Sequence, residues 1–165
     1  MRMQNAEIRI EYTDEISVED YTMLRASAGW PEIPREQAET GLRGSAFLVA
    51  AMDGDKAVGM TRLISDGGYM FGVADVAVLP EYRGRGIGSE LISRAKQYIE
   101  STMRPGYKTY IFLTCPDERQ GFYEASGFER CAGMFMRIIT PQPPSSEGGN
   151  AEGMGGATPV PSPPL

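Results

Sequence analysis

The amino-acid sequence predicts an α/β (α+β) fold built on a mixed, mostly antiparallel sheet. Three observations predict it. Strand-like segments joined by tight-turn signals come first; a strand, a glycine-rich loop, an amphipathic helix and a second strand follow; a further helix and strand close the order. Strands that return on themselves give antiparallel pairs, whereas a strand–helix–strand crossover gives a parallel one.

Ile8-Arg9-Ile10-Glu11-Tyr12 alternates apolar and polar residues, the period of a half-buried strand. Ser17, or Thr13-Asp14, can cap a helix running through Tyr21, Leu24 and Arg25 to Gly29. Pro31 and Pro34 interrupt the chain before a second helix, Arg35 to Leu42. Ala46-Phe47-Leu48-Val49-Ala50-Ala51 reads as a buried strand, Asp53-Gly54 as a hairpin turn, and Lys56 to Ile64 as the returning strand. After a turn at Asp66-Gly67-Gly68, Tyr69 to Val78 is nearly apolar on both faces, which places it inside the sheet. Ile87, Leu91, Ile92, Ala95, Tyr98 and Ile99 then recur at helical spacing, and Pro105-Gly106 ends that helix. Thr109 to Thr114 reads as another buried strand, Gln120 to Ala125 as a short helix stopped at Gly127, and Met134 to Ile139 as a last strand.

Composition narrows the function. The chain has 165 residues and carries a net charge of -6, which argues against nucleic acid as a partner because a basic footprint is missing. No apolar run approaches the roughly 18 residues of a membrane span. The first residues, Met1 to Glu7, hold no apolar stretch, so no secretory signal is expected there. Cys115 and Cys131 make no disulfide framework, and the absence of histidine removes a histidine triad; no metal is expected. Together these predict a cytoplasmic protein. The last 25 residues hold 7 of the 12 prolines and none of the aromatic or basic residues. Such a segment cannot bury enough apolar surface to offset the entropy of ordering it. The expected organisation is one domain over residues 1–140 and a disordered Pro/Gly/Ser-rich tail over 141–165.

The decisive segment runs from Val76 to Ser89: V-A-V-L-P-E-Y-R-G-R-G-I-G-S. Glycines between a buried strand and a helix expose backbone N–H groups at the positive end of that helix, an anion site suited to phosphate. Arg83 and Arg85 add charge. An ATP-type loop would need a lysine after the last glycine, where Ser89 and Glu90 stand. The dinucleotide pattern G-x-G-x-x-G, started at Gly84, would need glycine where Ser89 stands. What remains is R-x-x-G-x-G after V-x-P-x-x.

That loop resembles the coenzyme A pyrophosphate loop of the GNAT superfamily of N-acyltransferases. About 35 residues on, Gly121-Phe122-Tyr123-Glu124-Ala125-Ser126-Gly127-Phe128 resembles the F-Y-x-x-x-G-F segment of the same superfamily. The order of elements matches as well, and Ala28-Gly29-Trp30 with Arg62 to Gly68 looks like a subgroup of small bacterial members. The resemblance implies a sheet of six to seven strands flanked by about four helices. It also implies transfer of an acyl group, usually acetyl, from acetyl-CoA to an amine.

In the same terms, Val76, Ala77 and Val78 would pair with the pantetheine arm as a peptide pairs with a sheet edge, the Val76 N–H polarising the thioester carbonyl. Arg83, Gly84, Arg85, Gly86, Ile87, Gly88 and Ser89 would hold the pyrophosphate. Tyr123 would contact coenzyme A and protonate the departing thiolate, a phenol of pKa about 10 facing a thiol of about 8.5. Its alternative is a core aromatic with a satisfied hydroxyl. Asp75, an acid inside an apolar strand, is the candidate base; equally it can be a structural carboxylate paired with an arginine such as Arg62. Asp117 stands where many members have asparagine, Cys115 is a nucleophile only if a base accompanies it, and direct attack by the amine is the simpler chemistry. Trp30, the single tryptophan, is expected to wall the acceptor pocket or to pack in the core. The expected acceptor is a small-molecule amine, handled by a monomer or homodimer. A peptide or protein amine is the alternative, and a non-catalytic acyl-CoA-binding module is the rival from another class.

Overall fold

The computed structural model describes residues 9–134 and 136. The chain divides into two compact units, residues 1–130 and 131–165, and every helix and strand among the described residues lies in the first. The elements are β1 (Ile10–Thr13), α1 (Val18–Ser27), α2 (Arg35–Arg43), β2 (Phe47–Asp53), β3 (Lys56–Ser65), β4 (Met70–Val78), α3 (Ile87–Thr102), β5 (Tyr110–Phe112) and α4 (Gln120–Ala125). The five strands form one sheet in the order β1-β2-β3-β4-β5, antiparallel except for the parallel β4–β5 pair. The mixed sheet and its four helices are the expected fold class, with five strands among the described residues rather than six or seven. The expected last strand, Met134 to Ile139, and the tail at 141–165 fall outside the described residues almost entirely.

Local chemistry explains the boundaries. Ser17 caps α1 by accepting from the Asp20 amide (3.0 Å). Gly54, at φ +58°, opens the two-residue turn between β2 and β3. The Asp66 carboxylate accepts from the Gly68, Tyr69 and Met70 amides and so shapes the β3–β4 turn; those bonds hold its pKa below the ordinary value.

Gly59 of β3 shows how closely α3 lies on the sheet. A β-carbon there would come within 3.3 Å of both Ile87 and Leu91. Residues of β3 alternate between faces, and Arg62 accordingly turns to the other side, where it donates to the Gly41 carbonyl of α2. Tyr21, Leu24, Met60, Val58 and Leu91 make up the centre of the core, each almost fully buried. A second cluster (Leu63, Phe71, Ala95 and Ile99) lies under the C-terminal half of α3.

One expectation is corrected. Thr109 to Thr114 is not a buried strand: only Tyr110–Phe112 pair with β4, and Tyr110 and Phe112 are 61% and 47% exposed. The apolar run reads as buried from its composition, yet β4 leaves its side after three residues.

Candidate active site

The site begins with an irregularity in β4. Met60 pairs with Ala77 and Arg62 with Ala74, so Thr61 faces two residues, Asp75 and Val76. Two residues opposite one is a β-bulge, which bends its strand and sharpens its twist. Asp75 carries φ +54° and is the one non-glycine residue at positive φ among the described residues. A short polar side chain tolerates that conformation better than a bulky one. β4 and β5 pair only as far as Gly72 and Phe112. Beyond that point Val73, Asp75 to Val78 and Leu113 to Pro116 line a cleft of about 500 Å³ between strands that have parted.

The glycine loop closes one end of this cleft. A 3-10 turn, Pro80–Tyr82, leads into it, and Gly84 and Gly86 sit at φ +74° and +79° with nothing within 4 Å of where a β-carbon would be. Gly86 ends the loop as the residue before α3, with no side chain capping the first turn. The amides of Ile87, Gly88 and Ser89 are therefore not taken up within the helix. Gly88 has a different reason to be glycine: Phe122 of α4 stands 3.3 Å from its would-be β-carbon. Ile87 turns its side chain into the core, 3% exposed, so only its main chain serves the loop.

Of the residues singled out in the sequence, Trp30, Asp75, Val76, Ala77, Val78, Arg83, Gly84, Gly86, Ile87, Gly88, Ser89 and Tyr123 all line this cleft. Arg85 does not; its guanidinium donates to the Glu81 carbonyl (3.2 Å) and lies over the Tyr82 ring. Arg83 donates through Nε to the Val78 carbonyl (3.0 Å), tying the loop to the end of β4.

Tyr123 is packed edge-on between Phe122 and Phe128. Burial first, and the Cys115 thiol second, push its pKa to about 12, against a smaller lowering by Arg119. Burial also raises the Cys115 thiol, with Asp117 adding to the shift. A thiol held neutral is a poor nucleophile.

Asp75 is the centre of a buried polar cluster. Its carboxylate accepts from the Tyr21 hydroxyl (2.8 Å), from Arg25 Nη1 (2.9 Å) and from Arg62 Nε. The side chains of Arg25, Arg62 and Asp75 are 16%, 17% and 11% exposed. Burial works against the Arg62 charge, but the bond and charge of Asp75 outweigh it and hold the pKa above the ordinary value. The Tyr21 hydroxyl is raised by burial and then by Asp75.

Sequence reasoning missed Tyr21 and Arg25 as site residues. The signal lay in their spacing, four apart on one helix face with a buried acid to satisfy. It also missed Glu118 and Arg119, which line the cleft from the turn before α4. Among the described residues no group of His, Cys, Asp and Glu could hold a metal ion, and no helix is long and apolar enough to cross a membrane.

Comparison with known proteins agrees with this architecture. Residues 43–130 match the family model described as an acetyltransferase (GNAT) domain. A probable acetyltransferase from meticillin-resistant Staphylococcus aureus is 32% identical and superposes with a TM-score of 0.72, over 79% of this chain and 100% of that one. An uncharacterized N-acetyltransferase, ycf52, of Pyropia yezoensis is 24% identical over 77% of this chain and 73% of its own length. A chloroplastic GCN5-related N-acetyltransferase 2 of Arabidopsis thaliana is 30% identical over 70% of this chain and 51% of its own length. With the parted β4–β5 edge, the glycine loop and the F-Y segment all in one cleft, the chain belongs to the GNAT family of acyl-CoA-dependent N-acetyltransferases.

Proposed function

We propose that the chain moves an acetyl group from acetyl-CoA to the primary amine of a small molecule by direct attack. The observation that carries this reading is the joint placement of the glycine loop, the free side of β4 and Tyr123 around one cleft of about 500 Å³. Coenzyme A fits the residues present. Two left-handed glycines with open space at their β-carbons let a diphosphate approach the main chain, and the first-turn amides of α3 supply donors. The side of β4 that β5 has left offers main-chain groups to an amide-bearing arm.

Acetyl-CoA supplies the activated acetyl group. The chain's own part is to orient it and to handle protons. The Val76 N–H at the bulge is the donor we assign to the thioester carbonyl. Tyr123, kept protonated by burial, is the acid we assign to the departing sulfur. Asp75 is a weak candidate for the base, because two guanidiniums and a phenol already occupy its oxygens. We assign it instead to holding the bulge. Glu118 is the other carboxylate lining the cleft and carries no ion pair among the described residues; it is the group we assign to take the ammonium proton.

Trp30 and Ala28 line the same cleft, and a bulky indole in its wall favours a small acceptor over a long peptide. A cytoplasmic setting belongs to the same proposal, since the co-substrate is intracellular. The test is a panel of amines (polyamines, aminoglycosides, amino acids and a lysine peptide) with detection of released thiol. Turnover of small amines supports the reading. Turnover of the peptide alone replaces the acceptor class, and no turnover on any acceptor favours a binding module.

A further inference from the structure

Arg25 and Trp30 are joined by the way α1 ends. The Trp30 amide donates to the Arg25 carbonyl (3.1 Å) and the Gly29 amide to the Ala26 carbonyl (2.9 Å), with Gly29 at φ +76°. A helix closed in this way brings the side chains at those two positions together, usually as an apolar pair. Here the pair is an arginine and the only tryptophan of the chain. The guanidinium carbon lies 5.3 Å from the Trp30 ring centroid and 5.7 Å from that of Tyr21.

A leucine would close the helix equally well, so the charge answers to something else. The same guanidinium donates through Nη1 to Asp75 at the bulge of β4 (2.9 Å) and reaches the Pro31 carbonyl through Nη2 at 3.4 Å. Its Nε is buried with no acceptor among the described residues. An unpaired buried donor is costly. The position of the guanidinium is therefore dictated by Asp75 and the indole ring, not by full hydrogen bonding.

We propose that Arg25 is a positioning residue that transmits the conformation of the Asp75 bulge to the Trp30 wall of the cleft. One planar cation holds the strand assigned to the thioester and the ring assigned to the acceptor in fixed relation. A lysine, a compact point charge, cannot lie over a ring and bridge two acceptors in the same way. The catalytic consequence rests on the function proposed above; the mechanical link between bulge and ring does not.

Because Trp30 is the only tryptophan, its fluorescence reads the link in the full chain without any ligand. Acrylamide quenching of Arg25→Gln is expected to rise about twofold or more over the parent as the ring is released. Asp75→Asn, which alters the partner of Arg25 rather than the ring's own contact, is expected to raise it too. The double variant should quench no more than Arg25→Gln alone, and Arg25→Lys should fall between parent and Arg25→Gln. Folding of each variant is checked by circular dichroism. Parental quenching in folded Arg25→Gln, or an additive double variant, overturns the proposal; should Asp75→Asn not fold, Arg25→Gln against Arg25→Lys decides it. As a second readout, acetyl-CoA should stabilise Arg25→Gln as it does the parent, while turnover of the amines in the panel falls. Quenching that follows Arg25 in a chain that acetyl-CoA does not stabilise would remove the functional reading and leave the link standing.

Discussion

The Phe122 ring occupies the space in which a side chain on Gly88 would begin, 3.3 Å from Cζ and 3.5 Å from Cε2 to the missing β-carbon. Two motifs more than thirty residues apart in sequence thus interlock at the first turn of α3. Tyr123 follows Phe122 directly, their ring centroids 5.0 Å apart. Gly88→Ala should push Phe122 aside and carry Tyr123 with it, a misfit costing about 1–3 kcal/mol. The expected outcome is a lowered Tm together with a loss of turnover larger than the loss of stability explains. Calorimetry and thiol release on the same preparation check it.

Tyr123 should matter to rate far more than to binding. Tyr123→Phe keeps the ring between Phe122 and Phe128 and removes only the proton donor, so kcat should fall by about 10²–10⁴-fold with acetyl-CoA affinity unchanged. Burial lifts its pKa to about 12, so the folded chain holds this proton where the unfolded chain releases it. The stability it contributes is complete below pH 10 or so and is lost as pH rises toward 12. Parental turnover in Tyr123→Phe would remove it as the acid, and an alkaline limb of unfolding at the same pH in the variant would remove the linkage.

Most of this fold can be read from the chain because its elements follow strong periodicities: alternation around Tyr12, and a helical stripe from Ile87 to Ile99. The parting of β4 and β5 cannot be read that way. It depends on one extra residue opposite Thr61, and a left-handed Asp75 leaves no trace in a run as apolar as Phe71 to Val78. The glycine loop was legible because positive φ at Gly84 and Gly86 restricts the residue types that can stand there. Arg25 was not, because an arginine on a helix is ordinary until its partner on β4 is known.

The buried cluster should be fragile in a graded way. Arg62→Met leaves Asp75 with one guanidinium and the phenol, and breaking a buried pair from one side costs about 3–5 kcal/mol. Asp75→Ala adds backbone strain, since alanine at φ +54° is less tolerated than asparagine. The expected order of Tm is parent, then Asp75→Asn, then Asp75→Ala. Thermal unfolding of these three chains checks the order and chemical denaturation of Arg62→Met its cost, and an Asp75→Ala as stable as Asp75→Asn would show that the bulge does not need this residue.

Replacing Glu118 and Asp75 in turn tests the roles proposed for the two carboxylates of the cleft. Glu118→Gln should lower kcat/KM on the amine most near neutral pH, where the acceptor is protonated and a carboxylate is ionised, and leave the folding stability within about 0.5 kcal/mol of the parent because the side chain is exposed. Asp75→Asn should do the reverse, with a lower Tm and an unchanged shape of the pH–rate profile. A profile reshaped by Asp75→Asn alone would return the base to Asp75.

The glycine loop makes the last prediction, about ligand choice. Acetyl-CoA at about one hundred times its Kd should stabilise the folded chain by about 2.7 kcal/mol, a rise of roughly 5–11 °C in Tm. ATP and NAD share the diphosphate but lack the amide-bearing arm that β4 would pair with, so they should raise Tm no more than inorganic pyrophosphate does. Gly84→Ala has room for its methyl group, with nothing within 4 Å, yet pays backbone strain at φ +74°. That strain is about 1–2 kcal/mol for an L-residue held there, and it is relieved if the loop changes shape. The variant should therefore lose most of the acetyl-CoA shift while its own Tm falls by only a few degrees. Equal stabilisation by ATP and acetyl-CoA would mean that the loop reads charge alone and that β4 takes no part in recognition.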